Sequence, residues 1–296
     1  CIFKPYIPCD KERITKKTKQ KRKVSKIFLT PNSKSMSKKE YDMNQRIKQI
    51  KTNKKWAVLW TKKCKPLDYD SLYKYDKDIH KCLVHKNGNK QSYNKHRIML
   101  VGDYKGADLF HSALDYSIST MSLFQNHLLR ICVSMKPLFQ GLVELYTHKI
   151  SHLDISLRNI VQDKKDCKYI DFGISSSVSN TKYIMSRSKH LLSRHVLHIP
   201  SPFELLYLNL SAKQKKIEKD RLHKKHYRQF YNVVSKIHRL TFHSKGLDDH
   251  CLSCLSKKYT TSQVKDLTSM IDTYSLGMLL PTYLLIISDK NKLKNS

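Results

Sequence analysis

The chain has 296 residues, with 57 Lys and Arg against 24 Asp and Glu, a formal charge of +33, and 40% hydrophobic residues. Its mean hydropathy is −0.56. That length suits one domain of two lobes or two small domains and is enough to bury a core, while the charge balance excludes an acidic solvating protein and a neutral secreted scaffold.

Two readings of the charge stand side by side. Lysines neutralise phosphates and release counterions, so nucleic acid or nucleoprotein is an expected partner. A chain with 7 Gly and 8 Pro, rich in Lys, Asn, Ile, Ser and Tyr, is also what AT-rich coding produces without selection for binding. The 8 cysteines are scattered, with one CxxC pair at Cys251 and Cys254. They predict reduced thiols inside a cell and no disulfide framework. No secretory signal opens the chain.

The sequence starts on Cys1-Ile2-Phe3, which reads as a strand entered part-way, so an N-terminally truncated fragment is expected. Residues 11–23 are a Lys- and Arg-rich run, read as a solvated hairpin loop. Val24 to Phe28 reads as a short strand, broken at Thr30-Pro31-Asn32-Ser33. Residues 35–50 place Met43, Ile47 and Ile50 at helical spacing. Candidate strands follow at 56–60 and 82–85, then a clearer one at 97–101 closed by Gly102 and Gly106. From Met121 to Tyr146 the residues Phe124, Leu128, Ile131, Met135, Leu138, Leu142 and Leu145 recur as in one long helix. Short strands are expected beside Asn159 and Asp171, and only loop and helix after Gly173. Ile271 to Ile287 contains Asp272 and Pro281 and reads as a buried helix, not a membrane span. A strand-rich first third before a helix-rich remainder predicts an α+β protein of two lobes.

The chemistry concentrates in His152-Leu153-Asp154-Ile155-Ser156-Leu157-Arg158-Asn159 and Tyr169-Ile170-Asp171-Phe172-Gly173. The first Asp of such a set can accept the proton of an attacking hydroxyl. The Asn and the second Asp can hold Mg²⁺ against a triphosphate. These residues resemble the H-R-D-x-x-x-x-N and D-F-G elements of the protein kinase superfamily. The resemblance implies a two-lobed protein-kinase-like fold, with residues 1–103 as a small strand-rich N-lobe and 104–296 as a helical C-lobe. The C-lobe would carry a long insertion over 205–270.

Further residues extend the resemblance. Lys26, ending Val24-Ser25-Lys26, is similar to the third-strand V-A-I-K and would contact the α- and β-phosphates of ATP, paired with Glu40. Glu40 has a second reading, as the end of a capping box Ser37-Lys38-Lys39-Glu40. Ile2 and Val24 would cover the adenine from above and Val161 from below, although each also reads as ordinary strand core. Met99 to Asp103 resembles the hinge that binds the adenine edge. Ser201-Pro202-Phe203-Glu204 is similar to A-P-E. Asp272-Thr273-Tyr274-Ser275-Leu276-Gly277 resembles D-x-W-S-x-G, whose Asp holds the catalytic loop's backbone. The glycine-rich loop is absent, Gly88 being the first glycine.

Three departures qualify the pattern. Leu153 replaces the Arg of H-R-D, so switching through an activation-loop phosphate is not expected. Ser156 stands where Ser/Thr kinases have Lys; Arg158 would supply that charge, or else faces solvent. The long connection from Glu204 to Asp272 and the short tail resemble the Ser/Thr kinases of nucleocytoplasmic large DNA viruses. Within that connection, His238, His243, His250, Cys251 and Cys254 read either as a zinc site or as a Cys/His-rich surface. Ser175, Ser176, Ser177, Thr181 and Tyr183 are candidates for autophosphorylation. The expected activity is ATP- and Mg²⁺-dependent phosphorylation of Ser/Thr in protein substrates, acidic ones included, inside a host cell or virion. Asp154, Lys26 and Arg158 would be the catalytic residues. The alternative is an inactive pseudokinase, or a basic scaffold that binds nucleic acid or a protein partner.

Overall fold

The computed structural model describes residues 2–4, 6–10, 12, 22–85, 89–193 and 258–294, with Leu208, Ser211, Lys213, Gln214, Lys216 and Ile217 between the last two. Cys1, most of the basic run over 11–23, the Ser201–Glu204 element and the His238–Cys254 cluster lie outside the described residues. The chain divides into two compact units, one of residues 1–106 with 162–174, the other of 107–161 with 175–296. Residues 162–174, which the sequence reading keeps with 104–296, group with the first unit.

The first unit is built on an antiparallel sheet of β1 (Ile2–Phe3), β2 (Lys23–Phe28), β3 (Trp60–Cys64) and β4 (Ile98–Asp103), in the order β1-β2-β4-β3. Alternation along the strands decides its faces. Phe3, Ile27, Met99 and Val101 are buried in one cluster with Tyr6, Ile7, Leu72, Ile79, Leu83 and Tyr93. Ile2 and Leu100 are both paired with Lys26 and share its side of the sheet. Three short helices contribute to the core cluster: α3 (Tyr69–Tyr75), α4 (Asp78–His85) and α5 (Lys90–His96).

Helix α1 (Ser33–Lys48) buries Ser33, Ser37, Glu40, Asn44 and Ile47, a stripe at helical spacing that is mostly polar. Each long polar group on it is bonded. Asn44 donates to the Glu40 carbonyl at 2.7 Å and accepts from the Trp60 backbone N–H at 2.9 Å. The helix starts at Ser33, so Glu40 is mid-helix and the capping-box reading falls.

Several expected elements change. Trp56 ends the short helix α2 (Asn53–Trp56) and β3 begins only at Trp60. Residues 82–85 are the last turn of α4, where Ile79, Cys82 and Leu83 sit at i, i+3 and i+4. Four apolar residues fit a strand or a helix equally, and Asp78 in the first turn favours the helix. Gly102 lies inside β4 and does not close it; a Cβ there would meet the Trp60 ring at 2.9 Å. The thiol expectation is also corrected. Cys9 is disulfide-bonded to Cys64, and Cys82 is disulfide-bonded as well. In the fold Cys9 forms a bridge with Pro66, two residues beyond Cys64, although 55 positions separate the two cysteines in sequence.

The second unit is mainly helical, with α6 (Leu109–Asp115), α7 (Met121–Ser134), α8 (Lys136–Thr147), α9 (Thr181–Ser193), α10 (Thr261–Gly277) and α11 (Leu279–Lys294). The single helix expected over 121–146 is two, because Pro137 lacks an N–H and suits a helix start. Ser176–Ser177 forms a short strand that pairs with Ile150–Ser151, so the chain after Gly173 is not only loop and helix. The run Thr261–Lys290 is long and apolar enough to cross a membrane, with 44% of its apolar window buried in the protein. Met278 separates α10 from α11 within it, and it buries Asp272 with Ile271, Ser275 and Leu276. A carboxylate at that depth needs protein partners.

Candidate functional site

In the first unit, Lys26 on β2 meets Glu40 on α1 and Asp171 after the hairpin β6 (Ile160–Asp163) and β7 (Asp166–Tyr169). Its ammonium donates to Glu40 Oε1 at 3.0 Å and Oε2 at 2.9 Å, and to Asp171 Oδ1 at 2.8 Å. An ammonium has three N–H donors, and all three are used. Burial opposes the Lys26 charge, but the two carboxylates outweigh it and hold its pKa above the ordinary value. Glu40 is pushed up, chiefly by burial, with Lys26 pulling the other way.

A residue the sequence reading did not single out completes this cluster. The Trp60 indole donates to Glu40 Oε1 at 2.6 Å, so the carboxylate is held from two sides. The pairing of β3 with β4 and the bond from the Trp60 backbone N–H to Asn44 place that ring, and Gly102 leaves room for it.

Asp171 has φ of 59°, a left-handed backbone uncommon for a residue with a Cβ. Such strain persists where the surroundings over-determine it. Here its Oδ1 accepts from Lys26 and from the Gly173 N–H at 3.3 Å. A Cβ on Gly173 would stand 2.8 Å from Glu40 Oε2 and 3.0 Å from Asp171 Oδ1, so glycine is required there by crowding. The hairpin is tied to α2 by Val58 N–H to the Tyr169 carbonyl at 2.9 Å and by the edge contact of Trp56 on Tyr169.

Ile2, Val24 and Lys26 share one face of the sheet, with Val24 opposite Gly102 and Ile2 exposed. The hinge expectation shifts along the chain. Met99 to Gly102 are flanked by β2 and β3, and the Tyr104 N–H goes to the Arg22 carbonyl at 2.9 Å. The backbone outside the ladder therefore begins after Tyr104.

In the second unit, the loop 151–159 is organised by Asp272. Its carboxylate accepts from the Ser151 hydroxyl at 2.9 Å, the His152 N–H at 2.5 Å and the Leu153 N–H at 2.8 Å. Burial pushes its pKa up, against the pull of His152 and these donors. Leu153, at φ 66°, is pinned on its other side by Arg187 Nη2 on its carbonyl at 3.3 Å. The Leu153 side chain is itself buried. Asn159 donates to the Asp154 carbonyl at 2.8 Å and to Asp154 Oδ2 at 2.9 Å. Both partners are acceptors, so the amide nitrogen must face them and neither bond uses the amide oxygen. Arg158 is exposed, with its guanidinium 3.7 Å from the centre of the Phe110 ring. Val161 is buried and bridged to Asp108.

Among the described residues no three His, Cys, Asp or Glu side chains cluster as a metal site. Mg²⁺ needs no such cluster, because it is bound through one or two carboxylates together with substrate phosphates. Asp171, and Asn159 with its amide oxygen, are donors of the hard-oxygen type that this ion takes.

No protein-family model matches the chain, and no curated protein matches it significantly. Among solved structures it is similar to a twitchin kinase fragment of C. elegans, described as an autoregulated protein kinase with immunoglobulin domains. The TM-score is 0.34 at 17% identity, over 53% of this chain and 28% of that one. A likeness of that size leaves the functional reading to the side chains.

Proposed function

We propose that the protein is an ATP- and Mg²⁺-dependent protein kinase acting on Ser or Thr hydroxyls. The observation that carries this is the half-buried ammonium of Lys26, held by both oxygens of Glu40 and by Asp171. With three acceptors on three donors, Lys26 binds phosphate by exchanging its Asp171 partner for phosphate oxygens. The same exchange frees the Asp171 carboxylate for the metal. Bound Mg²⁺ supplies charge neutralisation at the transferring phosphoryl group. Asn159, its nitrogen committed to Asp154, offers its oxygen to the ion. Asp154 orients the substrate hydroxyl and takes its proton, and Arg158 supplies the charge that Ser156 lacks. Ile2, Val24 and Val161 supply apolar surface for the adenine.

The composition and the long Glu204–Asp272 connection support a relation to the Ser/Thr kinases of large DNA viruses. The Cys9–Cys64 disulfide fits a virion better than a reducing cytosol.

The test is transfer of labelled γ-phosphate from ATP to mixed protein substrates with Mg²⁺. Label that disappears in Asp154→Asn and Asp171→Asn supports the kinase, and phosphoserine or phosphothreonine in the product supports its specificity. No transfer by the folded wild-type protein, or a rate unchanged in either variant, sinks the reading.

A further inference from the structure

Charge is unevenly placed along this chain. Residues 34–55 hold eight Lys and Arg against two Asp and Glu, whereas the longer stretch 107–148 holds two against three. A coding bias toward lysine would load every exposed helix alike. The α6–α8 stretch instead exposes Leu129, Val133, Phe139, Val143 and Tyr146, whereas α1 and α2 expose lysines.

Lys34, Lys38 and Lys48 follow one another at i, i+4 and i+14. At 3.6 residues per turn this keeps them within about a quarter of the helix circumference. Lys51, Lys54 and Lys55 follow in the chain, between the end of α1 and the end of α2. All six are exposed, and among the described residues none is bonded to a carboxylate. Glu40 turns inward to Lys26, which leaves Asp42 as the one exposed acid of the stretch. No acidic residue occupies the first turn of α1, so Lys34 stands against the positive end of the helix dipole. That placement does nothing for the helix itself.

The chemistry of the face selects its partner. The buried side of α1 is committed to its own sheet, and Met36 is the one exposed large apolar side chain between Ser33 and Trp56. A protein partner would need apolar anchors at the centre of the contact. An interfacial helix would need an apolar face to sink into lipid. A phosphate backbone needs only cations at intervals along a rod. We infer that the exposed face of α1 and α2 is a docking surface for duplex nucleic acid, held through its phosphates. This stands apart from the phosphotransfer reading.

The test uses the full chain and a fluorescent duplex DNA of arbitrary sequence, with anisotropy measured over a salt series. Each lysine–phosphate contact contributes about 0.9 to the slope of log affinity on log salt. The variant carrying Lys34→Gln, Lys38→Gln, Lys48→Gln, Lys51→Gln, Lys54→Gln and Lys55→Gln should bind at least tenfold more weakly, with a slope flatter by several units. A control with Gln at Lys74, Lys77, Lys136, Lys165, Lys182 and Lys265 removes the same charge elsewhere and should lose much less. Equal loss in both variants, or no loss in the first, overturns the proposal. So does a first variant that keeps duplex binding and loses only binding to phosphatidylserine vesicles. A second measurement needs no variant: duplex should protect Lys34 to Lys55 from acetylation in the wild type and leave Lys74, Lys136 and Lys182 reactive. Uniform protection overturns it too.

Discussion

Lys26 is the residue on which the first unit's chemistry turns, and its environment explains why neighbouring positions are so narrow in choice. Glu40 is buried with a charged partner, and removing one member of such a pair strands the other. Lys26→Met is therefore expected to lower phosphotransfer by about 10²-fold or more, by loss of charge at the phosphates, and to lower the melting temperature as well. Trp60→Phe removes the indole donor with part of the ring and should cost about 1.5–3 kcal/mol of stability, the worth of a hydrogen bond to a charged group. Urea titrations of both variants measure the difference. Gly173→Ala places a methyl against Glu40 and Asp171, and steady-state kinetics should show kcat falling with the fold retained by circular dichroism.

At the scale of elements, loop 151–159 depends on a helix more than a hundred residues away in sequence. Asp272 turns three outward-facing donors of that loop into a single anchored turn, which lets Leu153 keep a left-handed backbone. Its raised pKa has a definite consequence for stability. The folded state binds this proton more tightly than the unfolded chain, whose value is near 3.8. The Asp272 contribution is therefore fully present below that value and is lost as pH rises toward the folded value. Asp272→Asn should flatten this descending limb, read as melting temperature against pH, and should cut kcat because the loop carrying Asp154 loses its anchor. The β6–β7 hairpin is positioned through a different contact. Gly106 has φ of 118°, and a Cβ there would lie 2.3 Å from the Gln162 carbonyl. Gly106→Ala should destabilise by about 1–3 kcal/mol, measured by urea unfolding.

For the molecule as a whole, the two units draw on different sources of stability. The first is a small sheet with short helices, and the Cys9–Cys64 disulfide closes a loop of 55 residues across it. Loop-closure entropy makes such a link worth roughly 2–4 kcal/mol. Cys9→Ser with Cys64→Ser, or wild type in dithiothreitol, should melt earlier in calorimetry by that equivalent. Unchanged melting would show that the thiols are reduced in solution.

Much of the candidate site was legible before any coordinates, because its parts are local. Asp154 and Asn159 lie five residues apart in one loop, and Asp171-Phe172-Gly173 is a turn whose spacing carries its own chemistry. Lys26 and Asp272 were singled out by the resemblance of Val24-Ser25-Lys26 and of Asp272 to Gly277 to known motifs, not by local pattern alone. The positions that were missed, Trp60, Gly102 and Arg187, act across long sequence separations, and nothing beside them in the chain marks their partners. Element type failed where local signals were balanced, as at 82–85, or where one proline divided a continuous apolar pattern, as at Pro137. The pairing of Cys9 with Cys64 could not come from spacing, since any two of 8 cysteines satisfy composition equally. By itself the sequence determined the mixed α+β character, the local motifs around Asp154, Asn159 and Asp171, and the excess of positive charge, since these follow from residue type and short-range order. Tertiary structure alone decided which carboxylates share Lys26, which backbone Asp272 anchors and which thiols join, because each requires bringing together groups that the chain keeps far apart.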